Sequence, residues 1–383
     1  MHQILALLGT LVPFGQVPAL VELIRGVSIS PATVRRVTEA AGAALATGQE
    51  AEAERVRQTL PPSPPGPLRQ QVSVDGAMVP IVGGEWREVK TLAIGALDAG
   101  EAGQAGQWPY VSRILEADGF AELVTGELHR RGTFAAETVV GVADGALWCQ
   151  QFYAYHVPGA IRILDFPHAA GHLSRAAQAC WGPGEAADDW SRIQRAQLLA
   201  GKATEVVQAV TELPVTQAAN PSEAYTVMRQ VAGYLQERLA QLAYADFVAA
   251  GYPIGSGAVE SANKRVVEAR LKGGGMHWTV PTANALLALR GALCSQRWET
   301  AWDEIARQRR QRHRQRPTPE PASVAAPIPP AKRPSLRSRI AKAARPNPFF
   351  TDGKPNATHP YKRDYQRKYG TTDRSVSRPR PKI

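Results

Sequence analysis

Three carboxylates in this sequence stand where they could do chemistry. Asp75 closes Val72-Ser73-Val74-Asp75-Gly76, and Asp144 closes Val139-Val140-Gly141-Val142-Ala143-Asp144-Gly145. Both Val-rich runs read as strands ending in Asp-Gly. Glycine directly after a carboxylate lets the chain turn sharply, or lets a ligand approach the backbone. In open α/β sheets, sites gather at the carboxyl ends of strands. If the two strands are neighbours, both carboxylates enter one crevice, and a divalent cation that prefers hard oxygen, Mg2+ or Mn2+, relieves their repulsion. Glu260 is the third member, in Gly255-Ser256-Gly257-Ala258-Val259-Glu260 near the start of an expected helix. The helix dipole favours a negative charge there. Two ions held by Asp75, Asp144 and Glu260, about 3.5–4 Å apart, suit an in-line phosphoryl displacement. Water as nucleophile nicks a polynucleotide, and a freed 3′-hydroxyl joins one strand to another. Each Asp-Gly taken singly is more often an ordinary turn, and a glutamate in a first helical turn is often only a cap. The matched pair together with the glutamate is what points to a site.

A second constellation is Leu164-Asp165-Phe166-Pro167-His168-Ala169-Ala170-Gly171-His172-Leu173. Asp165 ends a third expected strand and is the alternative to Asp144 as second catalytic aspartate. His168 and His172 are four apart and share a helix face. Zinc would need further ligands, and there is no HExxH. The expectation is that His168 is hydrogen-bonded to a carboxylate beside the site. Lys264, Arg265, Arg270 and Lys272 follow Glu260 closely and are expected to hold DNA phosphates. Trp278 is expected in the core rather than stacked on an unpaired base. Gly255 and Gly257 lack the third glycine and the preceding strand of a dinucleotide loop.

These residues need elements to hold them. Residues 1–58 read as helices, with a helix-turn-helix pattern over 17–42 whose turn is 26–29. Ser30 is placed to cap the second helix and Pro31 to open it, which sets Thr33, Arg35 and Arg36 where a reader of DNA needs them. Segment 59–70 is a linker, with five prolines between 60 and 68. Strands are expected at 71–79, 87–97, 138–142 and 160–166, and helices at 120–131, 147–156 and 169–180. Strands alternating with helices predict an α/β sheet, the first part of a core over 71–183. A helical insertion covers 184–250, with helices at 186–200, 204–212 and 222–249. The second part of the core, 251–308, holds one helix from 257 to 271 and another from 281 to 308. Residues 309–383 are rich in Pro, Arg and Lys and are expected to be a disordered basic tail until they meet a partner.

Composition narrows the classes. Of the net charge of +11, residues 305–383 hold 21 Lys and Arg against 4 Asp and Glu, so the rest of the chain is mildly acidic. A basic tail favours a polyanion such as nucleic acid. Three separated cysteines exclude a disulfide framework and a thiolate zinc site, and fit a reducing cytosol. The apolar run 4–14 is too short to span a bilayer and reads as a buried helix.

Taken together, the segments resemble bacterial insertion-sequence transposases of the ISKra-like group, relatives of the Mutator-like elements. The resemblance rests on Val74-Asp75-Gly76-Ala77-Met78, Trp86-Arg87-Glu88-Val89-Lys90, Ala143-Asp144-Gly145-Ala146, Leu164 to Leu173, Gly255 to Ser261, and Gly275-Met276-His277-Trp278. It implies a ribonuclease H-like mixed sheet with a helical insertion before the glutamate, preceded by a small helix-turn-helix-like domain. It implies transposition with two Mg2+ or Mn2+ ions on Asp75, Asp144 and Glu260, with Asp165, His168 and His172 as accessory residues. DNA ends and target would be the partners, without a membrane, in a bacterial cytoplasm at the nucleoid. A homo-oligomer would form on DNA. Relatives often carry more chain before the helical pattern, so a truncated or inactive transposase that only binds DNA is the alternative. A two-ion nuclease without strand transfer is a third reading.

Overall fold

The computed structural model describes residues 1–97 and 108–314, with 350–351 and 354–355 beyond them. The chain divides into two compact units, Met1–Arg316 and Pro317–Ile383. In the second unit, Phe350–Thr351 pairs antiparallel with Lys354–Pro355. The rest of the expected basic tail lies outside the described residues, apart from 309–314, which are helical.

The first unit is a mixed five-stranded sheet wrapped in helices, and the expected α/β class holds at that level. The strands are β1 (Arg69–Pro80), β2 (Trp86–Ala96), β3 (Tyr110–Arg113), β4 (Thr138–Ala143) and β5 (Ile161–Leu164), in the order β3-β2-β1-β4-β5. β2 is antiparallel to β1 and β3, while β1, β4 and β5 are parallel. The parallel strands require crossover helices. These are α4 (Ala117–Arg130) before β4 and α5 (Leu147–His156) between β4 and β5. α6 (Phe166–Trp181) follows β5.

Alternation in β1 sorts the faces. Val72 and Val74 pack with Phe120, Leu128 and Phe152 on one side, while Ala77 and Val79 pack with Val259, Val266 and Leu286 on the other. β3 escapes the sequence reading because it is short and Tyr-Val-Ser-Arg does not alternate. It is an edge strand whose free amide is covered: Tyr110 donates to Ser295 Oγ at 2.9 Å, and Ile114 just beyond it donates to Asn284 Oδ1 at 2.8 Å. Both acceptors come from α13 (Val280–Cys294) and its end, a helix laid along the edge.

The N-terminal helices are α1 (His2–Leu11), α2 (Val17–Arg25) and α3 (Pro31–Thr59). Gly26 takes φ 64° to close α2, and Ser30 accepts from the Thr33 amide to open α3, as the residue types require. α3 packs on α13, α4 and α14 (Trp298–Arg314), so residues 1–59 share a compact unit with the sheet.

Two expected long helices are interrupted. The 222–249 segment divides into α9 (Pro221–Gln236) and α10 (Tyr244–Ala249): the turn between them sends Arg238 to the loop after β4, and Tyr244, opening α10, reaches the end of β5. The 281–308 helix breaks between α13 and α14, where Gln296 takes φ 56° and Arg297 turns to chelate Glu127 at 2.8 and 2.9 Å. The rest of the insertion follows the sequence, as α7 (Glu185–Leu199) and α8 (Ala203–Thr211).

The glutamate helix comprises α11 (Gly257–Ala262), a π-turn at Asn263–Glu268, and α12 (Ala269–Leu271). A π-turn frees carbonyls from the α-helical ladder. Arg290 covers them, donating to Val266 O at 3.4 Å and to Arg265 O. Arg270, expected to meet DNA, is instead turned inward and 2% exposed. Its guanidinium donates to Gly9 O at 3.2 and 3.1 Å and lies over the rings of Phe14 and Trp278. Desolvation accounts for this correction: the planar cation is matched to a carbonyl and two aromatic faces, and burial lowers its pKa to about 10. Trp278 is core, as expected, and its indole donates to Leu271 O at 2.9 Å.

Arg270→Met should cost about 2–4 kcal/mol of stability, read from the urea midpoint, and leave DNA affinity unchanged. Unchanged stability with weakened DNA binding would put Arg270 back at the DNA surface.

Candidate active site

Register brings three aspartates level. β1 and β4 pair Val72 with Gly141, and β4 and β5 pair Ala143 with Leu164. Carried forward, the same offsets set Asp75 beside Asp144 and Asp144 beside Asp165. The β1–β4 ladder itself ends at Val72–Gly141, and Asp144 and Asp165 each stand one residue past their strands. The β4–β5 ladder continues into this row, with Asp165 N donating to Ala143 O at 2.8 Å. Asp75 itself lies within β1, paired with Thr91, and not at the strand's end. The correction arises because β1 pairs with β2 well beyond the point where β4 has stopped.

The row is not uniform. Asp165 is fully buried, and each of its oxygens is taken. Oδ2 accepts from His168 N at 3.0 Å and His168 Nδ1 at 2.7 Å, and Oδ1 accepts from Ser256 N at 2.6 Å. It caps α6 and ties down the start of the glutamate helix. Burial pushes its carboxyl up, but hydrogen bonds from His168 and Ser256 outweigh that and hold it below the ordinary value. Asp144 is more open. Its Oδ1 accepts from Ala146 N at 2.9 Å and from Cys149 Sγ at 3.4 Å. Asp75 Oδ1 accepts from Gly76 N at 2.7 Å, and Oδ2 from Asn263 Nδ2 at 2.7 Å. Burial, and then the Asp144 charge, raise the Asp75 carboxyl against the pull of these hydrogen bonds and of His168. Burial foremost keeps the Cys149 thiol protonated between the two aspartates.

Glu260 reaches the row on a helix. Ser256, Glu260 and Asn263 follow i, i+4, i+7 spacing and share a face. Ser256 touches Asp165 and Asn263 touches Asp75, so Glu260 lies between two anchors on the row. Its Oε1 accepts from Ser256 Oγ at 3.3 Å.

The insertion clamps the loop after β4. Tyr234 OH donates to Asp144 O, and Arg238 Nε donates to Gly145 O at 3.2 Å. Tyr244 OH donates to Leu164 O at 2.9 Å, one residue before Asp165. Gly145 adopts φ +78°, and a Cβ there would meet Tyr234 OH at 2.6 Å. His172 stacks on Tyr234 at 4.1 Å, and among the described residues its Nδ1 is buried without a partner. Burial and nearby arginines lower it to about 4, so it stays neutral. Asn263, Tyr234, Arg238 and Cys149 are missing from the sequence reading. Only Asn263 carries a signal there, since it lies three residues past Glu260 and so on the same helix face.

The expected cations divide. Lys264, Arg265 and Arg36 are exposed. Arg35 pairs with Glu39 at 2.8 Å and Lys272 with Glu268 at 2.7 Å, both at the surface.

Asp75, Asp144 and Glu260 offer the hard oxygens that Mg2+ or Mn2+ takes, and the buried Asn263 Oδ1 beside them lacks a partner. Among the described residues, no three His, Cys, Asp or Glu side chains are gathered so as to hold an ion, and Asn263 holds one oxygen of Asp75 and Ser256 one oxygen of Glu260. The donor types fit the expected ions, and the arrangement is not a closed shell.

His168 is raised above 6.5, chiefly by its bond to Asp165, against partial burial. Its share of stability is complete below pH 6.5 and fades as pH rises through the higher folded value. Asp165 is lowered, so its share is complete above its ordinary 3.8 and is lost as pH falls through the lower folded value. In an NMR titration, His168 should titrate above free histidine and His172 near 4, and Asp165→Asn should bring His168 down. A His168 titration unaffected by Asp165→Asn would break the assigned pair. Gly145→Ala should cost about 1–3 kcal/mol in thermal unfolding, and a neutral result would mean that the clamp is not rigid.

No protein-family model matches the chain, and no curated protein matches it.

Proposed function

We propose that this chain is a DNA transposase, a metal-dependent polynucleotidyl transferase with a ribonuclease H-like core, acting through Asp75, Asp144 and Glu260. The observation that carries the reading is the row of aspartates on adjacent parallel strands, with Glu260 on a helix anchored to both ends of that row. A complete five-stranded mixed sheet, separated from the glutamate helix by helices α7–α10, supports the core expected from the resemblance.

Within this reading, Asp144 is the second catalytic aspartate and Asp165 an organiser. Every oxygen of Asp165 is occupied and sealed from solvent, whereas Asp144 keeps an oxygen without a donor among the described residues. Bound Mg2+ or Mn2+ would supply Lewis-acid activation of the attacking oxygen and charge relief for the leaving one. Asp75 and Asp144 would offer hard oxygens to them, and Glu260 would add a third. His168, fixed by Asp165, keeps a proton beside them above the pH at which a free histidine loses it. Lys264 and Arg265 lie on the exposed side of the same helix, where DNA phosphates can be held. Arg36 and the start of α3 offer a second contact with DNA, and the basic segment 305–383 adds long-range attraction. Cleavage breaks a P–O bond with water as nucleophile and frees a 3′-hydroxyl. That hydroxyl then attacks a target phosphodiester, forming a new P–O bond while the target strand's own 3′-oxygen leaves and takes up a proton.

A second reading, a DNA-binding protein that no longer cuts, is favoured by one observation: Asn263 and Ser256 hold carboxylate oxygens that ions would need. Among the described residues no helix is long and apolar enough to cross a membrane.

Supercoiled plasmid carrying the gene's own flanking DNA should be nicked or joined by the wild-type chain in Mg2+ or Mn2+ and not in EDTA. Asp75→Asn and Asp144→Asn should lower the rate at least a hundredfold. Equal rates in wild type and Asp75→Asn would dismiss this site. Salt-sensitive DNA binding without any cleavage would establish the second reading.

A further inference from the structure

A cavity of about 870 Å3 lies between α3, α4, α13 and α14, lined by none of Asp75, Asp144, Asp165 or Glu260. Its size falls within the roughly 300–1,000 Å3 range of small-ligand sites. Its charge is uneven. Two surface pairs, Arg55–Glu52 and Arg307–Glu304, balance themselves at its rim. Glu127 is different: it is 6% exposed and carries three arginines. Arg297 Nη1 donates to both of its oxygens at 2.8 and 2.9 Å, Arg131 Nε donates to Oε1 at 2.8 Å, and Arg130 donates to Oε2.

One guanidinium neutralises one carboxylate. The other two leave surplus positive charge, and the side chains of Arg130, Arg131 and Arg297 stay 40%, 31% and 31% exposed. A fourth guanidinium adds to the field. Arg113 is 2% exposed on β3, and its Nη2 donates to Gln49, a residue of the cavity wall. Among the described residues Arg113 forms no ion pair, and its Nε is buried without a partner. The Glu50 charge acts on it only from outside ion-pair distance, and an anion in reach would offset more of the cost of burying the cation. The rest of the wall is apolar where Leu45, Tyr110 and Val111 face it.

We propose that this cavity binds a small molecule of nucleotide size bearing a di- or triphosphate. The phosphates sit on Arg130, Arg131 and Arg297, and the apolar part lies against Tyr110 and Val111. This site is independent of the transposase reading, because it shares no residue with the carboxylate row.

Calorimetric titration of the full-length chain in EDTA tests it, with ADP, pyrophosphate and adenosine as probes. EDTA removes ion-mediated binding at the carboxylates. ADP should bind, pyrophosphate should compete with it, and adenosine alone should not bind. Arg130→Gln should weaken ADP about tenfold, the loss of one charge-assisted hydrogen bond. Its fold should survive, since Glu127 keeps Arg131 and Arg297, and a retained melting temperature checks this. Asp75→Asn should bind ADP as wild type does. The proposal fails if millimolar ADP and pyrophosphate give no binding, or if Arg130→Gln binds as wild type. It fails also if Asp75→Asn abolishes binding, which would place the ligand at the carboxylates. Arg130-dependent binding of duplex DNA without ADP binding would overturn it in favour of a nucleic-acid surface.

Discussion

The buried carboxylate of Asp165 carries two parts of the chain at once. It accepts from His168 on its own helix and from Ser256, 91 residues further along. An ionised group without water is tolerated only when its lone pairs are engaged. Here three hydrogen bonds engage them, and the donors that do so are the first turn of α6 and the entrance to the glutamate helix. The insertion can therefore be long and wholly helical without loosening the distance between β5 and Glu260. A second anchor, Asn263 on Asp75, fixes the other end of the same helical stretch.

Parallel pairing then sets the electrostatics. Carboxylates on adjacent parallel strands are neighbours by construction, and the repulsion between Asp75 and Asp144 is part of what raises the Asp75 carboxyl. The molecule relieves this with neutral donors rather than cations: Asn263, the Ala146 amide and the Cys149 thiol. Charged partners lie further out, with His168 held by Asp165. The loop that carries Asp144 is gripped through its backbone by Tyr234 and Arg238, so its carboxylate is positioned without being consumed. In the proposed reading, the site is thus held ready without a lysine or arginine competing for its oxygens.

The cations divide by desolvation. Arg270, Arg290 and Arg113 are buried on carbonyls, rings and an amide, where a planar guanidinium can be matched bond by bond. Lys264, Arg265 and Arg36 remain at the surface. Sequence proximity to Glu260 treated Arg265 and Arg270 alike, yet five residues apart on a helical stretch they face different ways, one outward and one into the core.

Much of the fold was legible in residue order. The Val-rich runs marked β1 and β4, the Ser30-Pro31 start marked α3, and Leu147–His156 had its helical bounds. These features depend on local preference and on burial of a periodic face, which a short window of chain contains. Asp75, Asp144 and Glu260 were singled out by type and setting alone. What the chain order could not decide was everything settled by distant partners: β3, whose edge is covered by α13, and the helix breaks beside which Arg238 reaches a loop, Tyr244 the end of β5 and Arg297 a buried carboxylate. The difference in setting between Asp144 and Asp165 belongs to the same class. Both end Val- or Leu-rich strands and look equivalent in sequence. Only folding seals one of them against Ser256 and leaves the other open, because burial and hydrogen-bond saturation are properties of the assembled sheet and helices, not of either strand.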